Sequence, residues 1–281
     1  MILGLVAGAG SFPLLLAQKA KARGVKTVAV GFEGITSGDL TAYCDAYQPI
    51  RLGELSRMLG FFRREGVQGV ILAGTVDHAH ALRARDKLRL LADPRALKMV
   101  LGVKERKAQP LLLALIAEIE QEGMRVLPSF SYIEEELLKP GPLGSIRPSE
   151  ENLRDIRTGF VIAKELARQD VGLTCCVRHG AVLAVEAMEG TNACIRRAGA
   201  ILRERLGADS KGGFVVVKVA RPKQDPRFDL PVLGPQTIGV LHEAGATLIA
   251  AEASWTLLLE RQSLIETANS RQIGVFGATA D

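Results

Sequence analysis

Through its first half the chain alternates short apolar runs with amphipathic helical stretches, and few folds can accommodate that order. Ile2–Ala7, Lys26–Gly31 and Gly69–Ala73 read as strands, with Arg125–Leu127 as a last one. Between them the spacing predicts helices at about Pro13–Arg23, Glu54–Glu65, Arg95–Leu101 and Lys107–Gln121. A β-α-β alternation specifies the α/β class, with a parallel sheet covered by helices. Ligands of such sheets collect at the carboxyl ends of the strands. Here those ends are Gly8–Ser11, Phe32–Gly34 and Gly74–Asp77.

The pattern breaks at Leu138-Lys-Pro-Gly-Pro-Leu-Gly-Ser-Ile-Arg-Pro148, whose Pro and Gly content marks a linker. We expect an N-terminal domain over residues 1–132, a linker over 133–148 and a distinct C-terminal α/β domain over 149–281. Ser149 offers an N-cap followed by acidic residues, opening a helix to about Arg168. Beyond it, strands are expected near Ala181–Ala187, Phe214–Val219, Thr247–Ala251 and Ile273–Phe276, and helices near Ala193–Arg205, Gln236–Glu243 and Glu260–Asn269.

A length of 281 residues agrees with two domains. The net charge of +5 suits an anionic ligand or an anionic membrane face. With only 5% aromatic residues and no basic run interleaved with stacking side chains, nucleic acid is not an expected partner. None of Cys44, Cys175, Cys176 and Cys194 forms a C-x-x-C pair. The start lacks the basic region of a signal peptide, and no apolar run reaches the roughly 18 residues that cross a bilayer. The expectation is a cytoplasmic protein with free thiols.

Several segments invite a chemical reading. Gly8-Ala9-Gly10-Ser11-Phe12-Pro13 is a glycine-rich turn between a strand and a helix, where small residues let backbone approach a phosphate. It departs from a dinucleotide fingerprint because Pro13 stands where the third glycine would be, so nucleotide-sugar contact, a merely tight turn and an NAD site are all open. Glu33 ends the second strand, in reach of a ribose hydroxyl, and Gly74-Thr75 is the matching turn after a later strand. Asp77-His78-Ala79-His80 reads as a polar loop rather than a metal site, and Cys175-Cys176 with His179 as strand packing rather than a thiol nucleophile and its base. Glu189-Gly190-Thr191-Asn192 follows a strand and opens a helix, which makes it either an anion-ready N-terminus or simply a capped surface helix.

The last segment, Arg221 to Gly234, holds Pro222, Pro226 and Pro231. Prolines keep it out of helix and bias it towards extended backbone, whose side chains alternate faces. Lys223, Asp225, Arg227 and Asp229 then share one face, with Phe228 and Leu230 on the other. Two carboxylates suit a hard cation and two cations suit phosphate oxygens. A solvated loop whose charges pair with one another is the alternative.

Together these segments resemble the LpxI-type UDP-2,3-diacylglucosamine pyrophosphatases of bacterial lipid A synthesis. The resemblance covers nearly the whole chain through Gly4-Leu-Val-Ala-Gly-Ala-Gly-Ser-Phe-Pro13, Gly74-Thr-Val76, Leu183-Ala-Val-Glu-Ala-Met-Glu-Gly-Thr191 and Lys223-Gln-Asp-Pro-Arg-Phe-Asp-Leu-Pro231. It implies a Rossmann-like N-terminal domain and a catalytic C-terminal domain. It also implies hydrolysis of UDP-2,3-diacylglucosamine to UMP and 2,3-diacylglucosamine 1-phosphate (lipid X) with a divalent cation, Mg²⁺ or Mn²⁺. For that reaction Asp225 and Asp229 are the expected metal ligands and water-orienting groups. Lys223 and Arg227 would neutralise the diphosphate and Gln224 would position it. Glu189, Gly190, Thr191 and Asn192 would complete the pocket with Gly8, Ala9, Gly10, Ser11, Phe12, Gly74 and Thr75. Where the family commonly reads Glu-Gly-Thr-Asp this chain has Asn192, which keeps an oxygen but loses a charge. A homodimer and transient contact with the cytoplasmic face of the inner membrane are expected. An NAD(P)-dependent oxidoreductase and a non-catalytic nucleotide-sugar or lipid-binding protein are the alternatives.

Overall fold

The computed structural model describes residues 1–76, 92–103, 108–207, 213–228 and 230–279. The chain divides into two compact units. One comprises Met1–Glu134 together with Pro226–Phe228, the other Glu135–Asp225 and Asp229–Asp281.

The first unit is built on five parallel strands: β1 (Leu3–Ala7), β2 (Thr27–Phe32), β3 (Ala46–Ile50), β4 (Gly69–Ala73) and β5 (Arg125–Val126). Their order is β3-β2-β1-β4-β5, so the chain reverses direction across the sheet between β1 and β4. Every residue of β1 and β4 is buried, as expected of central parallel strands covered on both faces. Strand β3 escapes the sequence reading because Pro49 and three half-buried residues hide it. It lies at the sheet edge, where a proline costs no ladder bond. Helices α1 (Phe12–Ala22), α2 (Leu55–Arg64), α3 (Pro94–Gly102) and α4 (Ala108–Gln121) and a 3₁₀ helix at Gly38–Tyr43 also belong to this unit. Helix α3 opens on Asp93, whose carboxylate accepts from the N–H groups of Arg95 and Ala96 and from Ser56. Burial opposes ionisation of Asp93, but these hydrogen bonds outweigh it and hold the carboxyl below its usual range.

The second unit carries a six-stranded mixed sheet in the order β6-β13-β11-β9-β7-β8. Strands β9 (Val215–Lys218), β11 (Leu248–Glu252) and β13 (Gly274–Ala278) are parallel at its centre. The flanking strands β7 (Thr174–Arg178), β8 (Ala181–Val185) and β6 (Gly141–Leu143) run antiparallel to their inner neighbours. Side-chain alternation divides the core in two. Cys175, Val177, Val215 and Val217 pack on the side of α5 (Glu150–Arg168), with its Ile156 and Ala163. Cys176, Phe214 and Val216 pack on the other side, with residues of α6 (Thr191–Leu206), α7 (Pro235–Ala244) and α8 (Arg261–Ser270). A short pair, β10 (Val232–Leu233) with β12 (Leu257–Leu258), stands apart from this sheet.

Residues 133–148 are not a free linker. From Glu135 on they belong to the second unit: Leu138 N–H donates to Thr256 at 2.8 Å, β6 pairs with β13, and Ser145 donates to Asn269 Oδ1. The prolines and glycines there mark an edge strand and its turns. Helix α5 does start at Ser149, whose hydroxyl accepts from Asn152 N–H while the Asn152 side chain accepts from Ser149 N–H.

Candidate active site

Strand β8 ends at Val185, and Glu186 extends the pairing by donating its N–H to Thr174 at 2.8 Å. Gly190 then turns the chain at φ 80°, a conformation that glycine enters without strain, and Thr191 opens α6. The Thr191 hydroxyl donates to Glu186 Oε1 at 3.0 Å and accepts from Lys218 Nζ at 3.2 Å. Glu186 Oε2 accepts from Leu173 N–H. A carboxylate, a hydroxyl and an ammonium thus converge on the first turn of a helix, where backbone N–H groups carry partial positive charge. They sit at the carboxyl edge of β9, the position at which α/β sheets bind ligands. Glu189 is committed elsewhere: it accepts from Arg197 and from Ala187 N–H, and the Arg197 guanidinium holds its carboxyl below the ordinary range.

From the same edge the Pro-rich segment departs. It is not extended. Gln224 N–H donates to Arg221 at 3.1 Å, closing a turn with Pro222 and Lys223 at its centre, and a second turn has Pro226 and Arg227 at its centre. Proline fixes φ near the value that the second residue of such turns requires, so it bends this segment instead of straightening it. The common charged face of Lys223, Asp225 and Arg227 is therefore lost. Lys223 is exposed and Asp225 half-buried, both in the second unit. The Gln224 side chain is used within the turn, accepting from Arg221 N–H and donating to the Asp225 carbonyl, both at 3.4 Å.

Pro226–Phe228 belong to the first unit. Phe228 is 5% exposed in the core that contains Val6, Leu72 and Ile116. Ser129 N–H donates to Pro226 at 2.7 Å, and the Ser129 hydroxyl donates to the Arg227 carbonyl at 2.7 Å. Arg227 pairs with Glu120 at 3.3 Å. Asp229 lies outside the described residues, as does the Asp77–His80 loop.

At the carboxyl ends of β1 and β4 the two glycine turns meet each other. Gly8 N–H donates to Ala73, Ala9 N–H to Thr75, and Thr75 N–H to Ala9. A side chain on Gly8 would come within 2.6 Å of the Thr75 carbonyl oxygen, and one on Gly74 within 2.6 Å of that of Ala9. A Cβ on Gly74 would also meet Pro13 at 2.9 Å, so the proline standing at the third-glycine position packs where a fingerprint would leave space. Phe12 is buried, while Gly10 and Ser11 remain accessible. The backbone donors of Gly8 and Ala9 are spent internally, which counts against a dinucleotide cradle. Glu33 pairs with Arg51 at 3.1 Å.

Residues 2–136 match the family model described as LpxI N-terminal domain, and residues 139–276 that described as LpxI C-terminal domain. The chain belongs to the LpxI family. A curated relative, the UDP-2,3-diacylglucosamine pyrophosphatase LpxI of Caulobacter vibrioides, is 32% identical over 278 residues, covering 98% of this chain and 96% of the relative. Among solved structures, the biotin carboxylase domain of a thermophilic 2-oxoglutarate carboxylase matches at 13% identity and a TM-score of 0.28, over 62% of this chain and 34% of that one. Biotin carboxylase of Campylobacter jejuni gives 13% and 0.28, over 73% and 43%. The chain spans less than half the length of those structures, and nothing about the site follows from them.

The two LpxI domain matches meet beside the division between Glu134 and Glu135. Within this LpxI chain the structure joins Gly8 and Ala9 to Gly74 and Thr75 in one unit. In the other it joins Thr191 to Glu186 and Lys218. Lys218 and Thr174 were missed by the sequence reading; a lone lysine closing an otherwise apolar strand was the available signal. The thiol alternative has no support. Cys175 is fully buried on β7, and burial pushes its thiol up to about 12. The His179 ring instead pairs with Glu151, and its backbone N–H donates to Asp155 at 3.0 Å. Cys175→Ala is accordingly expected to keep turnover within about twofold, and a loss beyond tenfold in a folded variant would restore the thiol reading.

Proposed function

We propose that this chain hydrolyses the diphosphate of UDP-2,3-diacylglucosamine to UMP and 2,3-diacylglucosamine 1-phosphate, a step of lipid A biosynthesis. The observation that carries the reading is the end-to-end match to the Caulobacter vibrioides protein named for this pyrophosphatase activity, together with both LpxI domain models. Water adds to one phosphorus of the diphosphate and the bridging P–O bond breaks, so the site must receive negative charge and orient a water.

Three features of the second unit support that chemistry. The N-terminus of α6 with Thr191 and Lys218 offers hydrogen-bond donors and a cation for phosphate oxygens. Lys223, exposed on the loop, adds a second cation. Asp225 and Asp229 supply oxygen donors of the kind a hard cation takes. Among the described residues no group of three His, Cys, Asp or Glu side chains converges on one point. Such a cation, Mg²⁺ or Mn²⁺, is commonly held by one or two carboxylates and the substrate's phosphates. When bound, the cation supplies charge neutralisation and Lewis acidity. Asp229 and Asp225 would hold it and orient the water, Gln224 would keep the loop's first turn closed, and Asn192 would present a neutral oxygen beside Thr191. Arg227 acts through its ion pair with Glu120 in this reading, fixing the loop's middle.

The substrate carries two acyl chains, and the basic balance of the chain suits transient work at an anionic leaflet. No helix among the described residues is long and apolar enough to cross a membrane. A homodimer remains part of the proposal.

Cation dependence is tested by following UMP release with Mg²⁺ or Mn²⁺ and then with EDTA. Release should stop on chelation and return when the cation is restored; release that continues in EDTA would sink the metal assignment. Thr191→Val removes the hydroxyl between Glu186 and Lys218 and should lower kcat/KM by roughly tenfold, equivalent to one hydrogen bond to a charged group. An unchanged kcat/KM would remove Thr191 from the site.

A further inference from the structure

The Arg221–Pro231 loop leaves the second sheet at Ala220, and one buried ion pair holds both backbone polar groups of that residue. Glu252, the last residue of β11, accepts the Ala220 N–H through Oε2 at 2.8 Å. Lys164, on α5, donates to the Ala220 carbonyl at 2.9 Å. Lys164 and Glu252 pair with each other at 2.6 Å, with side chains only 19% and 9% exposed. Ala220 itself is 1% exposed.

A buried ion pair is weak evidence for stability, because desolvating two charges offsets most of their attraction and apolar residues of the same volume often do as well. Apolar residues cannot hold an N–H and a carbonyl at the point where a strand gives way to a loop. The loop's other end is gripped by the same stretch of chain. Five residues beyond Glu252, Leu257 N–H donates to the Pro231 carbonyl at 2.9 Å, and β12 pairs with β10. Segment 252–258 therefore fixes the loop at both ends, by a carboxylate at Ala220 and by strand pairing from Pro231 on. The first end depends on a lysine brought in from α5, 88 residues away from Glu252 in sequence.

We propose that Lys164 and Glu252 are positioning residues for this loop. They fix the direction in which Lys223 and Asp225 leave the sheet and contribute no atom to the chemistry. The inference rests on the reading above that the loop carries the reaction.

The double variant Lys164→Met/Glu252→Gln tests it, because it keeps side-chain volume and an acceptor for Ala220 N–H and leaves no unpaired buried charge. Two quantities are read on the full-length protein. One is the rate of trypsin cleavage between Lys223 and Gln224, followed by mass spectrometry. The other is the split between kcat and KM for UMP release. Cleavage should accelerate at least tenfold. The kcat should fall about a hundredfold, the loss typical of a reacting group displaced by about 1 Å, with KM within about twofold. Unchanged cleavage in a folded variant overturns the proposal, and so does a wild-type kcat. Should the double variant not fold, Glu252→Gln alone gives both readouts with smaller changes of the same sign. Failure of the activity reading looks different: the wild type then releases no UMP, and the cleavage rate alone decides whether the pair holds the loop.

Discussion

Asp229→Ala is expected to lower UMP release about a thousandfold in a protein that remains folded. Asp225 and Asp229 stand on either side of Pro226–Phe228, and that triplet is fixed by its own contacts in the first unit. Charge stabilisation by a catalytic cation is worth several kcal/mol in the transition state, and each 1.36 kcal/mol is tenfold in rate. Loss of one ligand at the low end of that range accounts for about three decades. Asp225→Ala should act in the same direction. Melting temperature should hardly move, which separates a lost cation ligand from a lost fold. Turnover at the wild-type rate in folded Asp229→Ala would remove the loop from the mechanism.

Phe228→Ala should have the largest effect on stability. Its ring is 5% exposed among Val6, Val70, Leu72 and Ile116, side chains from two strands and a helix of the first unit. Truncating a buried phenylalanine costs about 3–5 kcal/mol through lost transfer energy and the cavity left behind. Denaturant unfolding should report that loss. A loss below about 1 kcal/mol would mean that the ring contributes little to this core.

The first sheet was legible because its central strands are buried on both faces, which makes Leu3–Ala7 and Gly69–Ala73 unbroken apolar runs. Edge elements were not. Ala46–Ile50 is half-exposed and carries Pro49, and β6, β10 and β12 have only two or three residues each, too few for any period to appear. In the site, the helix start after Gly190 followed from local chemistry. Its partner Lys218 did not, since it lies 27 positions along the chain from Thr191 and only the pairing of β9 with β7 brings it there. The Pro-rich loop was misread for a physical reason. Three prolines exclude helix, but turns satisfy them as well as extended backbone does, and the pull of Phe228 into an apolar core decided between the two.

Whether this chain cleaves the diphosphate bridge is decided by the identity of its products. Incubation with UDP-2,3-diacylglucosamine and Mg²⁺, followed by mass spectrometry, should yield UMP and 2,3-diacylglucosamine 1-phosphate in equal amounts. Release of UDP, or tight binding of the substrate with no product at all, would contradict it. The second of those outcomes would point to a binding protein in which Asn192 is the first residue to exchange for aspartate.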